Sequence, residues 1–247
     1  VNFLLLKKSL GQNFLNDQNI LRKEVAIAEV TGKTVLEIGP GDGRLTEKIL
    51  DANPEKLIAV EKDHELAKML KEKFKGDERV EIIEADFLEF EPETGNKAKK
   101  YDVIIGNIPY YISSQIIFRL KDFAFGRAVM IIQKEFAEKM IAKPNDSNYG
   151  RLSVTAQLAF TVQLIQKVPK HLFTPAPKVD SAMIMLRKNM VTTEKDEEII
   201  RILFQHKNQS VKKALGHEGK VAPEKFAGRR VRTLTKEECL EIACMVV

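Results

Sequence analysis

No apolar run in the 247 residues approaches the roughly 20 needed to cross a bilayer, which excludes a helical membrane protein. The opening stretch "VNFLLLKKSLGQNF" has too short an apolar segment for a signal peptide, so a cytoplasmic protein is expected. Cysteine is scarce. Cys239 and Cys244 lie close together near the C-terminus without the spacing or histidine partners of a zinc site; they read as reduced thiols packed as small hydrophobes, and no metal is expected. Internal repeats and low-complexity tracts are also missing. Charge is nearly balanced, with 40 Lys plus Arg against 35 Asp plus Glu, so the net +5 hints only mildly at a polyanionic partner. Its distribution says more, because "NQSVKKALGHEGK" and "KFAGRRVRTLTK" near the end are basic.

What is present is alternation. The short runs "TVLEIG", "LIAVEKD", "VEIIEAD", "YDVIIGN" and "AVMIIQK" are rich in Val and Ile, and amphipathic segments such as "HELAKMLKEKF" separate most of them. Repeated β-then-α order predicts an α/β fold: a doubly wound, mostly parallel sheet covered on both faces. "RLSVTAQLAF" reads as a helix. "TVQLIQKV" and "KVDSAMIMLRK" read as strands whose connection is too short for a crossover helix, so the sheet should end in an antiparallel pair. From about Thr192 the pattern is helical only. Thr193 with Asp196 and Thr235 with Glu238 predict capping boxes, and Pro223 is placed like a first-turn proline. Residues 190–247 are therefore expected to form a small helical domain after a sheet domain at 1–189.

The chemistry-bearing residues fall at strand ends. "VLEIGPGDGRLTEKIL" sets Gly39, Gly41 and Gly43 between a strand and a helix, where glycine lets the backbone approach a ligand. A dinucleotide fingerprint wants its third glycine where this chain has Arg44, and G-x-G-x-G after the acidic Glu37 suits S-adenosylmethionine better than NAD. The next strand ends in Glu61 and Lys62; a carboxylate at Glu61 can accept both hydrogen bonds of a ribose diol. The strand after that ends in Asp86, which can take an adenine amine, and Phe87, which can pack near the ring. Taken singly, each acid is an ordinary solvated strand end. Three on consecutive strands share the carboxyl edge at which open α/β sheets bind ligands.

"GNIPY" falls at that same edge. An adenine amine is a poor nucleophile because its lone pair is delocalised into the ring. The Asn107 amide oxygen and a backbone carbonyl near Ile108 can accept its two N–H bonds, Pro109 can fix the turn, and Tyr110 can stack on the base. In isolation "NIPY" is a proline-containing strand exit with a surface tyrosine; beside the cofactor motifs it reads as a site.

The runs "SLGQNFLND", "LEIGPGDGRLT", "VEKD", "EADFLEF", "GNIPYYISS", "QKEFAEKM", "YGRLSV" and "PKHLFTPAPKVDSA", in this order from Ser9 to about Ala182, resemble the rRNA adenine N6,N6-dimethyltransferases. The resemblance implies a seven-stranded Rossmann-like methyltransferase sheet and S-adenosylmethionine as cofactor. It also implies dimethylation of two adjacent adenosines near the 3′ end of small-subunit rRNA, on immature small ribosomal subunits, by a monomer with no membrane association. By the same resemblance "GQNFL" is a cofactor clamp in which Gln12, Asn13 and Leu15 lie at the cofactor, Asn107 serves both ligands, and Phe173 helps hold the target base. The helical tail would dock RNA. Three alternatives stay open: a 23S rRNA adenine methyltransferase of the macrolide-resistance type; a DNA adenine or protein glutamine methyltransferase, which usually has a second proline where Ile108 stands; and a non-catalytic nucleic-acid-binding assembly factor.

Overall fold

The computed structural model describes residues 13–91, 101–190 and 192–246. Nine strands are named in chain order: β1 (Phe14–Leu15), β2 (Thr34–Ile38), β3 (Lys56–Glu61), β4 (Val80–Glu84), β5 (Tyr101–Asn107), β6 (Phe125–Gln133), β7 (Phe160–Val168), β8 (Phe173–Thr174) and β9 (Ser181–Lys188). The helices are α1 (Gln18–Ala28), α2 (Arg44–Asp51), α3 (His64–Lys73), α4 (Ser113–Arg119), α5 (Lys134–Ile141), α6 (Arg151–Ala159), α7 (Glu194–Gln205), α8 (Val211–Gly216) and α9 (Lys236–Met245).

Seven strands form one sheet in the order β4-β3-β2-β5-β6-β9-β7. β2 pairs in parallel with β3 and β5, β3 with β4, and β5 with β6; β9 runs antiparallel to β6, with Ser181 opposite Gln133. Strand order reverses between β2 and β5, the switch point at which doubly wound sheets open a crevice beyond their carboxyl ends. The expected neighbouring of the last two long strands holds, since β9 and β7 are adjacent.

Two compact units result. The first runs through Lys134 and resumes at Leu164–Lys188; the second comprises Glu135–Gln163 and Asn189 onward. In the first, central strand residues such as Val35, Leu57, Val103 and Val129 are buried and pack with Leu21, Val25 and Ile49 from α1 and α2. Such strands are apolar almost throughout because both faces are covered. Local caps fix the helix starts: the Asp17 carboxylate accepts from the Asn19 and Ile20 N–H groups at 2.9 Å, and Asp63 does the same for α3.

The second unit draws on more than the tail. Tyr149, Val154 and Leu158 share a core with Ile199, Leu203, Leu215, Phe226 and Ile242, and the Tyr149 hydroxyl donates to the Leu234 carbonyl at 2.7 Å. Both expected capping boxes form. Pro223 differs from expectation: it precedes a single 3-10 turn, Glu224–Phe226, because Gly228 follows too soon for an α-helix. Of the two thiols, Cys239 is buried, which pushes its pKa up to about 12, whereas Cys244 is exposed and not packed as a hydrophobe.

Beneath the glycine turn lies an ionisable pair. Glu24 on α1 and Glu37 on β2 are both fully buried. Neither Glu24 oxygen has a hydrogen-bond partner among the described residues, and Glu37 has one, the Thr46 hydroxyl at 2.8 Å. Burial pushes Glu37 up to about 8, with the Thr46 bond opposing and Glu61 assisting. Burial, then the charge of Glu37, raises Glu24 well above the carboxylate range. Both groups therefore hold protons in the folded state that the unfolded chain releases. Each contribution to stability is complete below the ordinary carboxylate pKa and is lost as pH rises through the raised folded-state value, which for Glu37 is about 8. We expect Glu24→Gln to gain thermal stability relative to the parent as pH rises above the ordinary carboxylate range, by a few degrees. Melting curves whose difference is independent of pH would contradict the shared-burial account.

Candidate active site

The glycine turn after β2 is built around a carboxylate. Gly39 and Gly41 have φ of 65° and 61°, a region that L side chains avoid. The Gly39 N–H donates to the Val60 carbonyl at 2.9 Å, anchoring the turn on β3. Glu61, only 6% exposed, accepts from the Gly41 N–H at 3.0 Å through one oxygen and from the Asp63 N–H at 2.9 Å through the other. Burial raises its pKa, and those two backbone donors pull it back. A carboxylate offers about four lone-pair sites, so two remain for a ligand. At the end of β4 the Asp86 carboxylate accepts from the Leu88 N–H at 2.9 Å and from the Lys62 ammonium at 2.6 Å. Partial burial raises Asp86, but the Lys62 contact and the Leu88 N–H outweigh it and leave the pKa below the ordinary value.

Phe87 is turned into an aromatic cluster, stacked on Phe123 with ring centroids 5.1 Å apart and near Phe90 at 6.5 Å. It is 4% exposed and lines the cleft. Its ring is thus held by protein on one side.

β5 ends where the sheet opens. Asn107 is half-buried, yet its side-chain oxygen is fully buried and has no hydrogen-bond partner among the described residues. A buried, unpartnered amide oxygen carries a desolvation cost of about 1–3 kcal/mol. The Ile108 N–H is committed to the Ile131 carbonyl at 3.0 Å, and the Ile108 side chain is buried. Pro109, at φ −58° and ψ 133°, leads into a 3-10 turn, Tyr110–Ile112. The Tyr110 hydroxyl lies 2.5 Å from the Ser181 hydroxyl at the start of β9. Burial raises the Tyr110 pKa, partly offset by that bond, so the phenol is neutral.

A two-stranded ribbon closes the other side. β1 pairs antiparallel with β8, Leu15 opposite Phe173 and Phe14 opposite Thr174, and the Asn16 N–H donates to the Leu172 carbonyl at 2.8 Å. The Asn16 side chain also hydrogen-bonds Thr174 and accepts from Arg44, which is ion-paired with Asp42 at 2.9 Å. Phe173 is 6% exposed and packs with Leu15, so "LFTPAP" is not a free surface loop.

Asn13, Leu15, Gly39, Gly41, Glu61, Lys62, Asp86, Phe87, Asn107, Ile108, Pro109, Tyr110 and Phe173 all line this one cleft. Gln12 lies outside the described residues. Residue types and spacing left three participants unassigned. Phe14 covers the glycine turn: a Cβ on Gly41 would sit 2.7 Å from its ring. Ser181 holds Tyr110 across 71 residues, and Asn16 joins the glycine turn to the Phe173 segment. "VDSA" and "FLND" were visible as motif runs, but which atoms they engage depends on long-range pairing. Ser181→Ala and Tyr110→Phe are each expected to cost about 1 kcal/mol, and the double variant no more than the larger single loss. Denaturant titrations giving fully additive losses would mean that the two hydroxyls do not act as a pair.

A switch-point cleft on this strand order, with a glycine turn and acids on successive strand ends, defines a methyltransferase of the Rossmann-like class. The chain belongs to the ribosomal RNA adenine dimethylase family, whose model matches residues 4–245. It is similar to the ribosomal RNA small subunit methyltransferase A of Pelagibacter ubique, 40% identical over 237 residues, covering 91% of this chain and 89% of that one. Among solved structures it is similar to a dimethyladenosine transferase from Plasmodium falciparum, with a TM-score of 0.78 and 28% identity over 93% of this chain and 95% of that one. It is also similar to the 23S rRNA methyltransferase ErmE, with a TM-score of 0.72 and 29% identity over 93% of this chain and 98% of that one.

Proposed function

We propose that this enzyme dimethylates, at N6, two adjacent adenosines near the 3′ end of small-subunit rRNA. It uses S-adenosylmethionine and acts as a cytoplasmic monomer on immature small ribosomal subunits. The single observation that carries the reading is the buried, unpartnered Asn107 oxygen at the carboxyl edge of β5. It is an acceptor waiting for a donor, and an adenine amine supplies one.

The residues present fit the cofactor. Glu61 retains lone pairs for a ribose diol after binding two backbone N–H groups, Asp86 retains them for an adenine amine, and Gly39 presents no side chain to the cleft. Asn13 and Leu15 would close over it from β1. When bound, S-adenosylmethionine supplies an electrophilic methyl group on a sulfonium centre. Everything else is done by the chain. The Asn107 amide oxygen and the Ile108 carbonyl accept hydrogen bonds from the two N6–H groups, favouring a pyramidal nitrogen and stabilising positive charge as it develops there. Tyr110, fixed through Ser181, offers its ring to the base, and the apolar walls of Ile108 and Phe173 keep water away.

Small-subunit RNA is favoured over the large-subunit alternative by the 40% identity to a small-subunit methyltransferase over 91% of this chain; the two solved structures, at 28% and 29% identity, do not separate the alternatives. Asn107→Ala, assayed in single turnover on small-subunit particles at saturating cofactor, should slow methyl transfer by about 10²–10³ with little change in particle affinity. A near-parental rate would remove Asn107 from the chemistry, and no transfer by the parent enzyme would favour the non-catalytic binding reading. Glu61→Ala should weaken S-adenosylmethionine about ten- to a hundredfold by calorimetry, and unchanged affinity would remove it from the site.

The helical unit is proposed to dock RNA. Lys212, Lys213, Arg230 and Arg232 are exposed, whereas Arg229 is half-buried, ion-paired with Glu238 and bonded to the Thr233 carbonyl at 3.0 Å. Neutralising the four exposed cations should raise the KM for particles and flatten its dependence on salt. Arg229→Gln should instead lower the melting temperature. Equal salt sensitivity in the fourfold variant would make those side chains an ordinary solvated surface.

A further inference from the structure

Tyr111 is the only aromatic among the large hydrophobic side chains left exposed in the described residues, at 61%. No other described ring stacks on it, in contrast to the Phe87, Phe90 and Phe123 cluster. It nevertheless lines the same cleft as Asn107 and Tyr110. Its backbone is firmly set: Ile112 N–H donates to the Pro109 carbonyl at 3.2 Å, and the buried Ser113 hydroxyl donates to that carbonyl at 3.1 Å. Lys62, whose ammonium reaches Asp86 at 2.6 Å, lies within electrostatic reach of Tyr111. The result is an uncovered ring on a hydrogen-bonded turn lining the cleft, within electrostatic reach of a cation.

Such a ring is poorly explained as packing, since it buries little. A nucleobase offers it a π-face of matching size, and base–aromatic stacking is tolerant of base identity. We propose that Tyr111 is the stacking platform for the nucleotide next to the target, a purine of the same RNA strand, while Tyr110 receives the target itself. The inference rests on the proposed adenine-N6 activity. Two consecutive tyrosines on one turn then match two consecutive adenines. With the flanking base parked on Tyr111, the strand needs to advance by only one nucleotide for the second adenosine to enter.

The test uses RNA hairpins that carry 2-aminopurine either at the target position or at the position beside it, with fluorescence read on adding the full-length enzyme. Stacking of the flanking probe on Tyr111 should quench it; Tyr111→Phe should preserve the quenching. Tyr111→Ala should abolish it and weaken hairpin binding about tenfold. The target-position response should survive in both Tyr111 variants and depend on Tyr110. Flanking quenching that persists in Tyr111→Ala overturns the inference alone. Absence of label at adenosine N6 when the parent enzyme is given small-subunit particles and labelled S-adenosylmethionine overturns the adenine-N6 reading and this inference with it.

Discussion

Residue 106 cannot carry a side chain. A Cβ there would sit 2.6 Å from the Ile38 backbone oxygen, at the point where the carboxyl ends of β2 and β5 meet across the switch of strand order. Backbone oxygen at that distance cannot yield as a flexible side-chain end can, so close approach of the two strands depends on glycine. That closeness sets Asn107 beside the glycine turn and near the strand ends that bear Glu61 and Asp86. The Ile108 N–H bond to Ile131 then fixes the height of the following turn against β6. A rigid sheet thereby holds an amide oxygen away from water with no hydrogen-bond partner among the described residues. Its place in the cleft, unlike that of the buried Glu24 oxygens, makes a ligand the natural partner.

The cleft's other wall is a ribbon in which the segment expected to clamp the cofactor, β1, and the segment carrying Phe173, β8, are hydrogen-bonded partners. Asn16 adds side-chain bonds to Thr174 and Arg44, so the glycine turn belongs to the same unit. Phe14 rests on Gly41 from this ribbon. The β1–β8 ribbon and the glycine turn are consequently parts of one hydrogen-bonded structure.

Much of this was legible in the sequence because it follows from strand periodicity and the carboxyl-edge rule. Alternating β and α runs locate the strand ends, and the glycines, Glu61, Asp86 and Asn107 fall at successive ends whatever the details of packing. The capping boxes at Thr193 and Thr235 are equally local and formed as expected. Contacts that join distant residues were not legible. The Tyr110–Ser181 bond spans 71 residues, and Asn16 reaches Thr174 across 158. Nothing in the residue pattern singles out Glu24, and only the fold buries it with Glu37. The shared core of Tyr149, Val154 and Leu158 with the tail helices likewise depends on which helix faces meet. Arg229 belongs to the basic run near the end, yet the fold pairs it with Glu238.

The central claim is that this cleft transfers methyl groups to the N6 of adjacent adenosines in small-subunit rRNA. The most direct measurement is to incubate the enzyme with isotopically labelled S-adenosylmethionine and unmodified small-subunit particles, and to map the products by mass spectrometry of nuclease fragments. The account predicts labelled N6,N6-dimethyladenosine at two neighbouring positions near the 3′ end and none in large-subunit RNA offered in parallel. Label confined to large-subunit RNA, or no transfer to either RNA by enzyme that binds the cofactor, would contradict it.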